Sequence, residues 1–373
     1  MQRDQEIFRT YRFDIPLTIT VAVLMTFGII MVFSSSGVLS SESHDHPFYF
    51  FFHQLLGVGL GILILMVMLR VKNPFYKSPL VIYGLLLSTF LLLILCLAMP
   101  PINGTKRWVY FMNFRFQPTE LAKISLILFL AYILSRNKKT RISAKQLLIP
   151  LAIIFLILLL VLLEPDYSTA FLILFIAAIM LYIGGIKLRY FFIPGALSLC
   201  LFTIYLFKAD YRIGRIFAFL SPDKDPFGSG FHIIQSKLAV GSGGIFRLHI
   251  GESIQKLFFL PCAHTDYIYA IVGEEFGLIG AITVLILFSI LLWRGLRISW
   301  KAPSKFDQIA AAGLTLAIFT QALANVSVVL GLGPPTGFPL PLFSYGRSSL
   351  ICTLICVGIL LHISQRKSQK ERR

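Results

Sequence analysis

The sequence predicts an all-α polytopic membrane protein of ten transmembrane helices, with a large outer loop between helices 7 and 8. Three observations carry this. Hydrophobic residues make up 57% of the 373 and charged residues only 14%, with a mean hydropathy of +0.80; a soluble domain averages about 45–50% apolar and about 25% charged. The apolar residues fall in runs of about 20, the length that crosses roughly 30 Å of hydrocarbon. Lys and Arg gather in the short segments between the runs, as membrane orientation requires. That placement explains the formal charge of +17 without nucleic acid, and nucleic-acid binding is excluded.

Arg3, Arg9 and Arg12 precede the first run, Ile15 to Phe33. It exceeds the roughly 7–15 residues of a signal-peptide core and no A-x-A site follows, so it reads as span 1. Further spans are expected at 50–69, 79–99, 117–135, 146–163, 168–186, 190–207, 266–293, 308–330 and 345–363. Ser34 to His46 reads as a polar, solvated loop; a metal site at His44, Asp45 and His46 is conceivable, but the ligand count and geometry are missing and the loop is the favoured reading. Spans 5 and 6 are joined by EPDYS, a tight hairpin. Gly331 to Tyr345, GLGPPTGFPLPLFSY, breaks helix periodicity and must be buried in protein or line a wet cavity.

Ten spans place both termini on one side. With that side cytoplasmic, the inner segments carry 22 basic residues and the short outer loops carry 4. The chain is thus expected to be one transmembrane domain, 1–373, with an extracytoplasmic loop at 208–265, and both termini cytoplasmic. Of the five cysteines, four lie in apolar runs and none has zinc-like spacing, so they read as packing residues; Cys262 alone lies in a loop. No internal repeat of transporter type is evident.

Charged residues near the spans are the candidates for chemistry, because hydrocarbon penalises them heavily. Asp266 stands where the large loop ends and span 8 begins; Thr265 would cap that helix. Glu274 and Glu275 lie deeper and need partners in the bundle or water. Gly273, Gly277 and Gly280 have packing spacing. Span 4 opens with QPTELAK, where Pro118 suits the first turn. Glu120 and Lys123 share one side of it, as an internal ion pair or as a phosphate contact from Lys123. Asp166 fits a cap or turn role, and could steer a cation. The loop bases Lys208, Arg212, Arg215, Lys224, Lys237, Arg247 and Lys256 form either a solvated face or a pyrophosphate cradle. GSGG at 241–244 matches no phosphate-binding fingerprint. These residues describe an anion-friendly outer face with one well-placed acid; a transporter, a transferase and a scaffold all remain open.

Several motifs together resemble the SEDS family of bacterial cell-wall polymerases (shape, elongation, division, sporulation). They are RW at Arg107–Trp108 with FQPTELAK, EPDYSTA, DPFGSGFHIIQSKLAVGSGG, GESIQKLFFLPCAHTDYIYAIVGEEFGLIG and GLGPPTGFPLPLFSYGRSSL, spread over nearly the whole chain. QKLFFLPCAHTD with GEEFG leans toward the division (FtsW) type; GFHIIQSKLAVGSGG leans toward the elongation (RodA) type. The resemblance implies a peptidoglycan glycosyltransferase in the bacterial inner membrane that polymerises lipid II, a disaccharide-pentapeptide on undecaprenyl pyrophosphate. It implies a class B penicillin-binding protein, a transpeptidase, and other divisome or elongasome proteins as partners. It puts the family's essential acid on Asp266, as general base. Lys106, Arg107, Arg215 and Lys237 become candidates to stabilise the departing pyrophosphate, with Lys123 and the weaker candidates Gln235, Ser236, Lys256, His264 and Thr265. A divalent cation could share that task, though no ligand set is evident. Departures from the family pattern are Cys262 for a usual Glu, Arg347 for a usual Gly, and EPDYST for QPDLGT. A lipid II flippase would instead need charges along an inner path such as Glu120 and Lys123, and a scaffold would only recruit the transpeptidase.

Overall fold

A computed structural model describes residues 13–71, 73–101, 105–111, 114–136, 144–187, 214, 218–228, 230–246, 251–257 and 259–370. Its helices are α1 (Ile15–His44), α2 (Tyr49–Arg70), α3 (Pro79–Ala98), α4 (Pro118–Arg136), α5 (Ala144–Leu163), α6 (Tyr167–Ile183), α7 (Phe231–Ser242), α8 (Ile268–Trp300), α9 (Lys305–Val329) and α10 (Arg347–Lys370). Seven of these, α1–α4 and α8–α10, are long and apolar enough to cross a membrane; α5 and α6 are shorter apolar helices. These nine fall on nine of the ten expected spans; the expected span 190–207 lies outside the described residues.

Side-chain chemistry sets the helix starts. The Asp14 carboxylate accepts the Leu17 N–H at 3.0 Å and caps α1. Pro79 and Pro118 occupy first-turn positions of α3 and α4, where a missing N–H costs nothing. Asp166 caps α6 through the Thr169 N–H and hydroxyl, and Ser304 caps α9 through the Asp307 N–H. Proline opens α3 and α4 because it presets the backbone angle without removing a needed hydrogen bond.

Helices α4, α9 and α10 are buried over most of their length, while α2 and α3 turn most of theirs outward. The centre is therefore α4 against α9, with α10 packed on α2 and α8 on both α9 and α1. At the end of the bundle that holds the start of α1 and the end of α10, charges lock elements together. Asp307, fully buried, takes Lys77 at 2.6 Å and Arg366 at 3.4 Å, and Arg294 pairs with Asp14 at 2.5 Å.

The structure corrects several local expectations. Ser34 to His44 is not a loop but the continuation of α1. Its serines return their hydroxyls to carbonyls one turn back, Ser36 to Val32 at 2.6 Å and Ser43 to Leu39 at 2.5 Å, so these hydroxyls are satisfied within the helix. Residues 109–116 form a small antiparallel hairpin, β1 (Val109–Phe111) with β2 (Phe114–Phe116), within an otherwise helical fold. Thr265 does not cap α8; Tyr267 stands at that position with no side-chain cap bond.

Helix α8 is broken at Gly277, whose φ of +64° lies in the left-handed region that glycine enters freely. The break lets the end of α7 approach: a side chain on Gly243 would run into the Gly273 carbonyl, and the Leu278 N–H is satisfied by Gly244 O at 3.0 Å. The short segment Ile268–Phe276 thus packs with α7 as a separate piece above the membrane-length part of α8.

Candidate active site

Asp266 is carried by a turn built on one carbonyl. Cys262 O accepts the N–H groups of Thr265 (3.1 Å), Asp266 (3.1 Å) and Tyr267 (3.4 Å), and the Thr265 hydroxyl at 3.2 Å. Cys262 itself has φ +56°, a left-handed position that an L-residue adopts at some cost. Thr265 serves this turn in place of the expected cap. Asp266 is half-buried, so its carboxylate is neither sealed nor fully solvated. A methyl group on Gly337 would stand 3.7 Å from its Oδ2, which places the carboxylate beside the Gly331–Tyr345 segment.

That segment has no regular secondary structure, and its second half, from Phe338, is largely buried. Its carbonyls need donors, and side-chain amides from two helices supply them. Gln54 of α2 donates to Ser344 O at 3.1 Å and accepts from the Gly346 N–H at 3.3 Å. Gln321 and Asn325, one turn apart on α9, donate to Pro339 O (3.1 Å) and Phe338 O (2.7 Å). Asn325 Nδ2 also donates to Asp266 O at 2.7 Å. The Tyr345 N–H donates to His264 O at 3.0 Å, closing the contact between the two segments.

His264 packs its ring against Phe50 (centroids 4.9 Å) and Tyr345 (5.7 Å). Burial pushes its pKa down to about 4, so the imidazole is neutral near pH 7. Burial, and then the Asp266 charge, push the Cys262 thiol up.

Glu274 and Glu275 find their partners in the loop and on α1. Glu274 accepts the Ser253 hydroxyl (2.5 Å) and the Ile254 N–H (2.8 Å); Glu275 pairs with Lys256 at 3.1 Å and Ser34 at 2.7 Å. Lys256 is therefore committed to holding the loop onto α8. Ser236 is likewise committed: it is buried and donates to Val329 O at 3.1 Å. Lys123 lies in the bundle interior, bonded to Glu120 at 2.9 Å and Gln321 at 2.5 Å. Two small cavities flank it, both far too small for a lipid head group. Lys106 donates to Leu97 O at 2.8 Å, at the end of α3, and Arg107 reaches Pro165 O and stands 3.7 Å from Asp166, bracing the α5–α6 hairpin. Lys237 is exposed and lies against Gly331, on the segment that borders Asp266; Gln235 is half-buried on the same helix. Arg215 lies outside the described residues.

The structure thus gathers Asp266, His264, Thr265 and Lys237 around one segment, and assigns Glu120, Lys123, Asp166, Ser236, Lys256, Glu274 and Glu275 to internal bonds. Among the described residues no cluster of three or more metal-ligating side chains is present. Sequence reasoning missed Gln54, Gln321 and Asn325. An amide in an apolar run needs a partner, and the four-residue spacing of Gln321 and Asn325 put two such demands on one face.

Comparison with known proteins covers nearly all of the chain. Residues 15–369 match a family model described as cell cycle protein, of the FtsW, RodA and SpoVE group. Stage V sporulation protein E of Bacillus subtilis (strain 168) is 39% identical over 357 residues, 94% of this chain and 97% of that one. The probable peptidoglycan glycosyltransferase FtsW of Geobacter metallireducens is 39% identical over 360 residues, 95% of each chain. Among solved structures, a chain from work described as "Structural coordination of polymerization and crosslinking by a peptidoglycan synthase complex" superposes with a TM-score of 0.77 at 30% identity, covering 96% of this chain and 99% of that one. The rod shape determining protein RodA of Thermus thermophilus superposes with a TM-score of 0.70 at 26% identity, covering 95% and 97%.

Proposed function

From the premise that this chain belongs to the FtsW, RodA and SpoVE family of cell cycle proteins, we propose that it is a membrane-embedded peptidoglycan glycosyltransferase whose general base is Asp266. Relatives at 37–39% identity bear the name probable peptidoglycan glycosyltransferase FtsW. The single observation that carries the residue assignment is the placement of Asp266: a half-buried carboxylate, held at its backbone and bordered by an irregular segment against which Lys237 of α7 lies exposed.

The substrate is lipid II. An acceptor sugar hydroxyl gives its proton to the Asp266 carboxylate as its oxygen bonds to the donor's anomeric carbon. The bond from that carbon to the pyrophosphate oxygen breaks, and polyprenyl pyrophosphate leaves with the electron pair. One carboxylate suffices because pyrophosphate leaves without strong acid help, whereas a glycosidase needs two for a poorer leaving group. Lys237 is the base best placed to meet the departing charge; Arg215 is a further candidate, and a divalent cation could share the load.

The site faces the outside of the cytoplasmic membrane and both termini face the cytoplasm, supported by the 22 basic residues on one side against 4 in the short loops of the other. The named relatives favour a division or sporulation role over elongation. A crosslinking partner is supported by the likeness to a chain from a peptidoglycan synthase complex that coordinates polymerization and crosslinking; a class B penicillin-binding protein is the partner that the SEDS resemblance implies. The internal bonding of Glu120 and Lys123 speaks against a charged path for flipping lipid II. The test uses the full chain purified with its transpeptidase and supplied with lipid II. Wild type should build glycan strands and Asp266→Asn should be slower by about 10²–10⁴-fold, the usual worth of a general base. Equal strand synthesis by both proteins would refute the assignment.

A further inference from the structure

Asn325 breaks a rule in a way that points to function. It is buried, yet its Oδ1 has no hydrogen-bond partner among the described residues. Buried polar atoms are nearly always satisfied, and an exception needs a reason. Its Nδ2 donates to two carbonyls from different segments, Asp266 O and Phe338 O, both at 2.7 Å. Turning the amide over would point an oxygen at both carbonyls, so the orientation is forced and the stranded oxygen is its cost. The neighbouring amide on the same helix face, Gln321, does the ordinary job: it satisfies Pro339 O and leaves the Asp266 turn untouched.

We propose that Asn325 is the positioning residue for the catalytic base, fixing Asp266 against the Gly331–Tyr345 segment. The turn on Cys262 O sets the local shape of His264–Tyr267, but it is internal to the loop and sets no position relative to α9. The Tyr345 N–H bond to His264 O attaches the loop two residues earlier. The Asn325 amide joins the Asp266 carbonyl directly to α9, and the same nitrogen grips Phe338, next to the Gly337 that borders the carboxylate. Removing it frees the acid to shift against the acceptor hydroxyl, and a misplacement of about 1 Å can cost about 10²-fold in rate.

This inference rests on the proposed role of Asp266, and the experiment separates the two. Initial rates of strand synthesis are measured against lipid II concentration for wild type, Asn325→Ala, Asp266→Glu and the double variant. Asn325→Ala should lower kcat at least about 10-fold with KM within about 2-fold, since binding groups are untouched. Asp266→Glu should cost much in the wild-type background, where the backbone is fixed, and clearly less in Asn325→Ala, where a longer acid can find the hydroxyl; residues acting as a unit are non-additive. Asn325→Ser, which keeps a donor, serves as the same probe if the alanine variant does not fold, with a smaller loss expected. Unchanged kcat in Asn325→Ala, or penalties that multiply in full in the double variant, would overturn the positioning role and leave the Asp266 assignment standing. Normal activity of Asp266→Asn would instead remove the premise.

Discussion

Glu164 shows how one residue can carry a cost that its neighbours do not relieve. It sits in the α5–α6 hairpin with no exposed surface, and neither carboxylate oxygen has a hydrogen-bond partner among the described residues. Burial pushes its pKa up to about 8, the Asp166 charge adds to this, and Arg107 only partly opposes it. An acid whose folded pKa exceeds its unfolded value binds its proton more tightly when folded. Its stabilising contribution is therefore full below about pH 4.5 and is lost as the pH rises toward 8. Glu164→Gln, which restores the residue usual in the SEDS pattern and mimics the protonated acid, should raise the unfolding temperature at pH 8 and change it little at pH 5. A thermal melt in detergent at both pH values decides this, and a gain that is equal at both would argue against a protonated Glu164. At this scale the sequence was legible where chemistry is rare. Asp266 stood out because a carboxylate at a loop–helix junction of a membrane protein is costly. Asn325 did not, because an amide inside an apolar helix is silent until its partners, Asp266 O and Phe338 O, are brought to it across 59 and 13 residues of chain.

At the scale of elements, span positions followed from apolar length alone, and α2, α3 and α4 begin and end within a residue or two of expectation. What length could not show was where backbone departs from it. Helix α1 continues through a serine-rich stretch with its hydroxyls bonded inside the helix. Helix α8 breaks at Gly277, which the glycine spacing marked as a packing site but not as a kink. The interior of α4 carries a sharper expectation. Glu120 and Lys123 are both buried, and each is the other's main compensation. Losing one partner of such a pair strands a charge and costs about 3–5 kcal/mol, whereas replacing both by apolar or neutral groups is often close to neutral. Lys123→Met alone should therefore lower the unfolding temperature strongly, and Glu120→Gln with Lys123→Met should recover most of it. If the double variant recovers stability and still makes glycan strands, Lys123 acts as a brace. Restored stability with strand synthesis still abolished would instead return Lys123 to the substrate.

For the whole molecule, orientation is the property on which the outer location of the site depends, and the chain supplies its own probe. The charge bias places the termini inside, and the ion pairs of Asp14 and Asp307 lie at the terminal end of the bundle. Cys262 sits in the Asp266 turn, exposed, while Cys96, Cys352 and Cys356 are buried in helices. Cys200 lies outside the described residues, so the probe is a Cys200→Ser background: a membrane-impermeant maleimide added to spheroplasts should modify one site in it, and adding Cys262→Ser should abolish the labelling. The reactive form is the thiolate, which burial and the Asp266 charge disfavour, so labelling should be slow at pH 7 and accelerate as the pH rises. Asp266→Asn removes the negative neighbour and should speed the reaction at pH 7, reporting the closeness of thiol and carboxylate without any turnover. Labelling that occurs only after the membrane is opened would reverse the orientation, and with it the side of the membrane on which a lipid-linked sugar could meet Asp266.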